Sequence, residues 1–361
     1  MRASSAEAPL TVGTAESATP SESADPTPPW WKTMSRFGIL LILVALLAVL
    51  VLVGFFVGSG DYTIADAWNA LWNTGDPTTL EVIRNNRVPR TILAALVGAA
   101  LGAAGAIMQG LTRNPLADPG ILGVNFGAYF AMIVGTVAFG IYSTSGYVVC
   151  AMIGAFLAAT LVYFVGSRGV SGASPEKLVL TGVAAGSIFS GIGFGLTMIN
   201  PKSFDAIRSW QVGTLDGRNW SQVDIVWIPI CVGVLAAMFL IPYLNGLALG
   251  DDRALALGIP VGRVRLAGFV IVTVLCGAAT AAVGPITFVG LMVPQAVRIL
   301  FGPDNKWLLP VSVVVGPIVM VGSDLLARVL TPSELPVGMV TAFIGAPVLI
   351  ALVRRKRVSE L

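Results

Sequence analysis

Few side chains in this sequence could support catalysis or bind a metal ion. The 361 residues include no histidine, and the three cysteines, Cys150, Cys231 and Cys276, lie inside apolar runs, where cysteine usually behaves as a small hydrophobic residue. Without a Cys/His cluster, a transition-metal site is not expected. The sequence also lacks G-x-x-x-x-G-K-[ST], so the chain cannot form a P-loop. We therefore expect neither an enzyme nor a bound cofactor, and any ATP that drives this protein must be bound by another polypeptide.

Arginine is the residue type with the clearest capacity for specific binding. Arg87 and Arg90 begin one apolar segment, and Arg328 ends another. Guanidinium groups form directional, bidentate pairs with carboxylates, although an arginine at the end of a membrane segment is often only an interfacial anchor. Asp324 stands four residues before Arg328, so the two side chains can pair on one helical face. A structural pairing is favoured over a proton relay, because a proton-coupled carrier normally holds more than one acid within the membrane.

Membrane helices must position these residues, because 55% of the chain is hydrophobic, only 11% is charged, and the mean hydropathy is +0.84. The apolar runs are continuous and about 20 residues long, or roughly 30 Å as helices, which matches a hydrocarbon core. Between the first two runs, TIADAWNALW (63–72) predicts a short surface helix. The sequence therefore predicts an all-α polytopic membrane protein with ten transmembrane helices, at 37–57, 88–110, 119–140, 146–166, 177–199, 223–243, 265–283, 286–301, 307–330 and 335–353.

The two ends of the chain differ from this membrane domain. Residues 1–29 are rich in Ser, Ala, Thr, Glu and Pro, which predicts a disordered tail. The membrane domain spans 30–353, and a basic tail follows at 354–361. Most of the 22 Lys and Arg residues fall on the same side of the predicted membrane as both termini, which the positive-inside rule makes cytoplasmic. The net charge of +3 gives no reason to expect nucleic acid as a partner.

One stretch, 87–127, is more specific than the rest. It reads RVPRTILAALVGAALGAAGAIMQGLTRNPLADPGILGVNFG, and small residues recur in it near one helical turn apart, which lets helices pack closely. Together with AAVGPITFVGLMVPQAVRILFGPDNK (281–306) and ELPVGMVTAFIGAP (334–347), it resembles the iron-siderophore, haem and cobalamin permease family. Members are membrane subunits of type II ATP-binding-cassette importers. The resemblance implies that permease fold and a multi-pass location in the bacterial plasma membrane.

The resemblance also implies partners on both sides of the membrane. A substrate-binding protein would dock outside on Arg87, Arg90 and Arg328, where family arginines meet acidic residues. Reversing these three charges should then weaken docking without unfolding the permease. ATPase subunits would bind the cytoplasmic face, and a second permease chain, identical or paralogous, would complete the channel within the lipid.

The internal loop 244–265 is the expected contact with the ATPase subunit. Within it, LALGDDRALALG predicts a short amphipathic helix bounded by two glycines. It resembles the family's coupling loop, and the resemblance assigns ATPase coupling to Leu249, Gly250, Asp251, Asp252, Arg253, Ala254, Leu257 and Gly258. An interfacial helix that only connects two spans is the alternative.

Two further segments resemble family elements of the pathway. In the turn 112–118, the resemblance assigns the cytoplasmic gate to Asn114 and Leu116, while an ordinary capped turn would also explain these residues. In the fifth span, Gly182, Gly186 and Ser190 share one face, which fits either close helix packing or a smooth pathway wall. Gln295 stands where members commonly have histidine, so a titrating role at that site is in doubt.

The sequence thus predicts the permease subunit of an importer. A ferric siderophore is the first expected cargo, because that branch of the family is the most populous, with haem second and cobalamin third. An ATP-independent secondary transporter is the alternative from another class. It would need ion-coupling acids near the midplane, for which Asp324 alone is weak support. A membrane scaffold without transport would leave the arginines at the outer face unexplained.

Overall fold

The computed structural model describes residues 36–58, 63–72, 74–168, 175–200, 204, 207–208, 210–330 and 334–354. The predicted N-terminal tail, and the basic tail beyond Arg354, lie outside these residues. Within the described part of the chain all regular structure is helical, as the sequence predicts.

Thirteen α-helices can be numbered along the described chain. They are α1 (Arg36–Phe56), α2 (Ile64–Leu71), α3 (Pro77–Leu80), α4 (Val88–Thr112), α5 (Val124–Phe139), α6 (Thr144–Gly166), α7 (Pro175–Ile199), α8 (Trp220–Leu247), α9 (Asp251–Ala256), α10 (Val261–Val283), α11 (Val289–Phe301), α12 (Asn305–Leu330) and α13 (Val337–Arg354).

Seven segments of the described chain contain helices long and apolar enough to cross a membrane, and α5, α11 and α13 are shorter apolar helices. Together these ten correspond to the ten predicted spans. The short helix predicted at 63–72 is present as α2, and it begins after a capping box formed by Thr63 and Asp66.

Small residues determine which helix lies at the centre of the bundle. In the 18-residue apolar stretch of the segment that contains α4, 78% of the residues are buried. In the corresponding stretch of the leucine-rich α1, only 6% are buried. A Cβ atom on Gly98 would lie 2.5 Å from the carbonyl oxygen of Gly316, and one on Gly105 would overlap the carbonyl of Gly290. Glycine at these positions therefore lets α4 touch the backbones of α12 and α11 directly.

The two ends of α4 connect the regions where function was predicted. A π-helical turn, Glu81–Arg87, runs directly into its first turn, which contains Arg90. Its last residue, Thr112, begins the turn 112–118, which we name the gate turn. One continuous, buried helix thus links the predicted docking residues to the predicted gate at the opposite end of the bundle.

Candidate functional site

The three arginines predicted to dock a partner come together at the start of α4. Arg87, Arg90 and Arg328 line one cavity of about 200 Å³, which we name the arginine pocket. Its other lining residues are Gly58, Val82, Asn86, Asp216, Gly217, Arg218 and Glu334. The pocket therefore concentrates four arginines and two acids at one end of the bundle.

A buried carboxylate holds two of these arginines. Asp324 Oδ1 accepts hydrogen bonds from Arg90 Nε at 3.0 Å and from Arg90 Nη2 at 2.8 Å, and its other oxygen contacts Arg328. Glu334 pairs with the remaining Nη1 of Arg90. The predicted pairing of Asp324 with Arg328 is confirmed, and the side chains of these two residues are only 1% and 2% exposed.

This burial corrects one expectation about the arginines. Arg328 also donates to the backbone oxygens of Gly54 at 2.8 Å and Val57 at 3.1 Å, so its guanidinium fastens the end of α12 to the end of α1. A reversed charge at Arg90 or Arg328 would face these acceptors or Asp324 without a partner. Reversal of all three charges is therefore expected to destabilise the fold, and the docking role itself stays a prediction.

The turn before α8 adds two charged groups to the pocket that the sequence did not single out. The side chain of Asp216 is 70% exposed and lies 3.8 Å from Arg90 Nη1. Arg218 donates from Nε to the backbone oxygen of Thr214 at 3.4 Å. Burial lowers the pKa of Arg218, and the charge of Asp216 opposes that shift. The sequence signal was the Asp-Gly turn at 216–217, which marks a turn without indicating that it meets Arg90.

At the opposite end of the bundle, the predicted coupling helix is present as α9. Gly250, the residue before the helix, has φ of +101°, a conformation that glycine adopts readily. Asp251 receives hydrogen bonds from Arg265 at 2.9 and 3.1 Å and lies 3.6 Å from Arg113 of the gate turn. Asp251 therefore fastens α9 to α10 and to the gate turn of the same chain.

The remaining predicted coupling residues lie mostly on the surface of α9 and its flanks. Ala254 is buried and anchors the helix, while Asp252, Arg253 and Gly258 are exposed. Leu249 and Leu257 are 51% and 65% exposed. Leu255, which was not among the predicted residues, is 59% exposed on the same helix. These leucines form an outward apolar surface on a short polar helix, a common feature of protein contacts.

The geometry of the gate turn is compatible with both a cytoplasmic gate and an ordinary capped turn. Asn114 Oδ1 accepts from the backbone N of Leu116 at 2.9 Å, as in a capped turn, and Leu116 is 47% exposed. Arg113, the second residue of the turn, lies in the left-handed region, with φ of +50°. Burial raises the pKa of Asp118 at the end of the turn, and a hydrogen bond from Gly120 opposes that shift. The gating role of Asn114 and Leu116 stays a prediction.

Gln295 joins this turn to α11. Its Nε2 donates to the backbone oxygen of Pro115 at 2.6 Å and to Gln109 Oε1 at 3.2 Å. The sequence drew attention to Gln295 only as a departure from a histidine, because these partners lie about 180 positions away along the chain.

The small residues of α7 divide between two environments. Gly182 and Gly186 are buried, and a Cβ atom on Gly186 would lie 2.5 Å from the ring of Phe126. Helix packing therefore accounts for Gly186. Ser190 lines a cavity of about 690 Å³ with Asn125, Phe126, Tyr129, Gly191, Phe194, Trp210, Gln211, Pro285 and Thr287. No Asp, Glu, Lys or Arg is among these lining residues. A pathway role for Gly182, Gly186 and Ser190 stays a prediction.

Comparison with known proteins adds information about the whole chain. A family model described as the FecCD transport family matches residues 46–355. The chain is 44% identical over 319 residues to the ferric enterobactin transport system permease protein FepD of Escherichia coli, covering 88% of this chain and 94% of that protein. It is 38% identical over 330 residues to the iron(3+)-hydroxamate import system permease protein FhuB of Bacillus subtilis, covering 90% of this chain and 86% of that protein.

A haem-related relative and a solved structure match over similar lengths. The hemin transport system permease protein HmuU of Yersinia pestis is 34% identical over 334 residues, covering 89% of this chain and 95% of that protein. A solved structure described as an inward-facing metal-chelate type ABC transporter superposes with a TM-score of 0.78 at 29% identity. That superposition covers 88% of this chain and 99% of the solved one.

Proposed function

Because the chain belongs to the FecCD transport family and is the membrane permease subunit of an ATP-binding-cassette importer, we propose that its cargo is a ferric siderophore. The observation that carries this choice is the 44% identity to a ferric enterobactin permease over 94% of that protein's length. Haem is the second candidate, because a hemin permease is 34% identical over a similar length.

The neutral cavity beside Ser190 supports a role in passing cargo along the membrane domain. Phe126 and Phe194 are 42% and 59% exposed, so their rings are available to a passing molecule. A wall of aromatic and small polar groups offers contact area without a fixed charge, and a bulky chelate can leave such a surface easily. Closure of the channel by a second permease chain, identical or paralogous, is part of the proposal.

The arrangement of Asp324 argues against an ion-coupled carrier. A coupling acid must exchange its proton or cation during transport, whereas Asp324 is buried between Arg90 and Arg328 and receives three hydrogen bonds from them. Both carboxylate oxygens accept from a guanidinium group, so neither is open to an exchanging cation. Energy would instead come from ATPase subunits that bind α9 and its exposed leucines in the cytoplasm.

The cargo proposal can be tested with the assembled importer in proteoliposomes. With its ATPase and binding protein, the complex should accumulate a radiolabelled ferric siderophore when ATP is supplied on the ATPase side. Haem and cobalamin, each offered with the same complex, should accumulate at least about tenfold more slowly, as expected when cargo contacts differ by ~1.4 kcal/mol or more. Faster accumulation of haem or cobalamin would contradict the choice of cargo.

Docking of the binding protein is proposed at the arginine pocket, and Arg87 is the residue that tests it most cleanly. Arg87→Gln removes a positive charge that lines the pocket. Arg87 does not bind Asp324, but it is only 5% exposed and donates from Nη1 to the backbone oxygen of Phe56 at 3.3 Å. We expect binding of the cognate binding protein to weaken a few-fold, since one rim ion pair contributes ~0.2–1 kcal/mol. Surface plasmon resonance on the permease in nanodiscs, at low and high salt, would measure this.

Arg84→Gln provides the control for this prediction. Arg84 lies in the same π-helical turn, but it lines a different cavity. Docking that weakens equally in both variants, or in neither, would place the binding protein elsewhere.

A further inference from the structure

Two glutamines lie in the apolar interior of the bundle next to the gate turn. Gln109 on α4 has no exposed surface, and Gln295 on α11 is 8% exposed. A buried amide costs free energy unless its donors and acceptors are paired. These glutamines therefore need an explanation beyond packing, and their hydrogen bonds provide one.

Gln109 lies beside a position in α11 where one backbone hydrogen bond is missing. Pro294 has no backbone N–H, so it cannot donate to the carbonyl of Gly290 four residues earlier. Gln109 Nε2 lies 3.5 Å from that oxygen and donates to the neighbouring oxygen of Leu291 at 3.2 Å. The side chain thus supplies a donor where the helix backbone lacks one, and this fixes the Gln109 amide.

Gln295 extends this network to the gate turn. The two hydrogens of its Nε2 are both used, one by Gln109 Oε1 at 3.2 Å and one by the backbone oxygen of Pro115 at 2.6 Å. Pro115 lies between Asn114 and Leu116. A continuous chain of hydrogen bonds therefore runs from α11 through both glutamines to the middle of the turn.

We propose that Gln295 is a positioning residue for the cytoplasmic gate. It fixes Pro115, and through Pro115 the exposed Leu116, relative to α11. The inference depends on the gating role that the family resemblance assigns to Asn114 and Leu116 in this turn. A turn released from Gln295 moves independently of the bundle, so ATPase cycles proceed without moving a matching amount of cargo.

The experiment compares Gln295→Met with Gln222→Met in the assembled importer. Methionine has nearly the same shape as glutamine but can donate neither of the two hydrogen bonds of Gln295. Gln222 is also fully buried, but it caps the start of α8 through Asn219, at the end of the bundle that carries the arginine pocket. Two quantities are measured: cargo moved per ATP hydrolysed, and the mobility of a nitroxide attached to Leu116→Cys after Cys150, Cys231 and Cys276 are replaced by alanine.

Gln295→Met removes the hydrogen bonds to Pro115 and Gln109 together. We expect it to mobilise the nitroxide and to lower the cargo moved per ATP about fivefold to tenfold, which is within the range for lost buried hydrogen bonds. Gln222→Met should change neither quantity. Gln295→His keeps an N–H donor and should retain most of the coupling, which also provides a folded variant if methionine prevents assembly.

The inference is overturned if Gln295→Met leaves the nitroxide as rigid as before, or if Gln222→Met has the same effects. A mobile turn with unchanged cargo per ATP would also overturn it, because Gln295 would then position a turn that is not a gate. Failure of the cargo proposal is a separate result, because it would appear in the complex without substitutions. The nitroxide measurement does not depend on which cargo is carried, so it still tests whether Gln295 holds the gate turn.

Discussion

Replacing Leu255 and Leu257 together with aspartate should abolish binding of the ATPase subunit to the permease. The two side chains are 59% and 65% exposed, on or next to the six-residue helix α9. Burying a leucine in a partner's groove contributes about 1.5–3 kcal/mol, and two aspartates would add desolvation of two charges. Affinity should therefore fall by a factor of about 100 or more, measured by retention of the ATPase on the permease in nanodiscs.

The fold of the permease should not change in this variant, because neither side chain packs into the bundle. Trp72→Asp is the matched control. Trp72 is 69% exposed just after α2, which packs near the start of α4, whereas α9 lies beyond the end of α4. ATPase retention that survives both leucine substitutions would show that α9 does not bind the partner.

The positions of the membrane helices along the sequence were predictable because every such helix needs an apolar run long enough to cross the same hydrocarbon core. From continuous apolar runs bounded by Gly, Pro, Asn or Ser, the starts of α6 and α12 were predicted to within two residues of the observed ones, Thr144 and Asn305. Helix α9 was predictable for a similar reason, since Gly250 and Gly258 frame it and both adopt positive φ.

Contacts between distant segments could not be predicted in the same way. The pairing of Asp324 with Arg328 is local and follows from helical spacing, but Arg90 meets Asp324 across 234 positions. The sequence therefore presented the arginines as docking groups, whereas the structure employs all three internally: Arg90 and Arg328 bind Asp324, and Arg87 donates to the backbone oxygen of Phe56 at 3.3 Å. Likewise Gln295 was visible as an unusual residue, but its hydrogen bond to Pro115 depends on how α4 and α11 pack.

Asp324→Asn should destabilise the permease strongly, by ~3–5 kcal/mol, because it removes one charge of a buried network and leaves the others. In the native protein, Arg90 and Arg328 are balanced by Asp324 and Glu334. Asparagine preserves the shape but leaves one positive charge in excess at a site where Asp324 is 1% exposed. The midpoint of thermal unfolding in detergent, followed by intrinsic tryptophan fluorescence, would measure the loss.

Two further variants separate the charge effect from a general sensitivity of this end of the bundle. Asp216→Asn removes an acid 3.8 Å from the same Arg90, but its side chain is 70% exposed, so the change should stay within about 1 kcal/mol. The double variant Asp324→Asn with Arg328→Met restores equal numbers of opposite charges around Arg90 and Glu334. It should therefore be more stable than Asp324→Asn alone, even though it changes one residue more. If the double variant is the less stable of the two, the hydrogen bonds of Arg328 to the end of α1 outweigh the charge balance, and the arginine pocket is held together chiefly by Arg328.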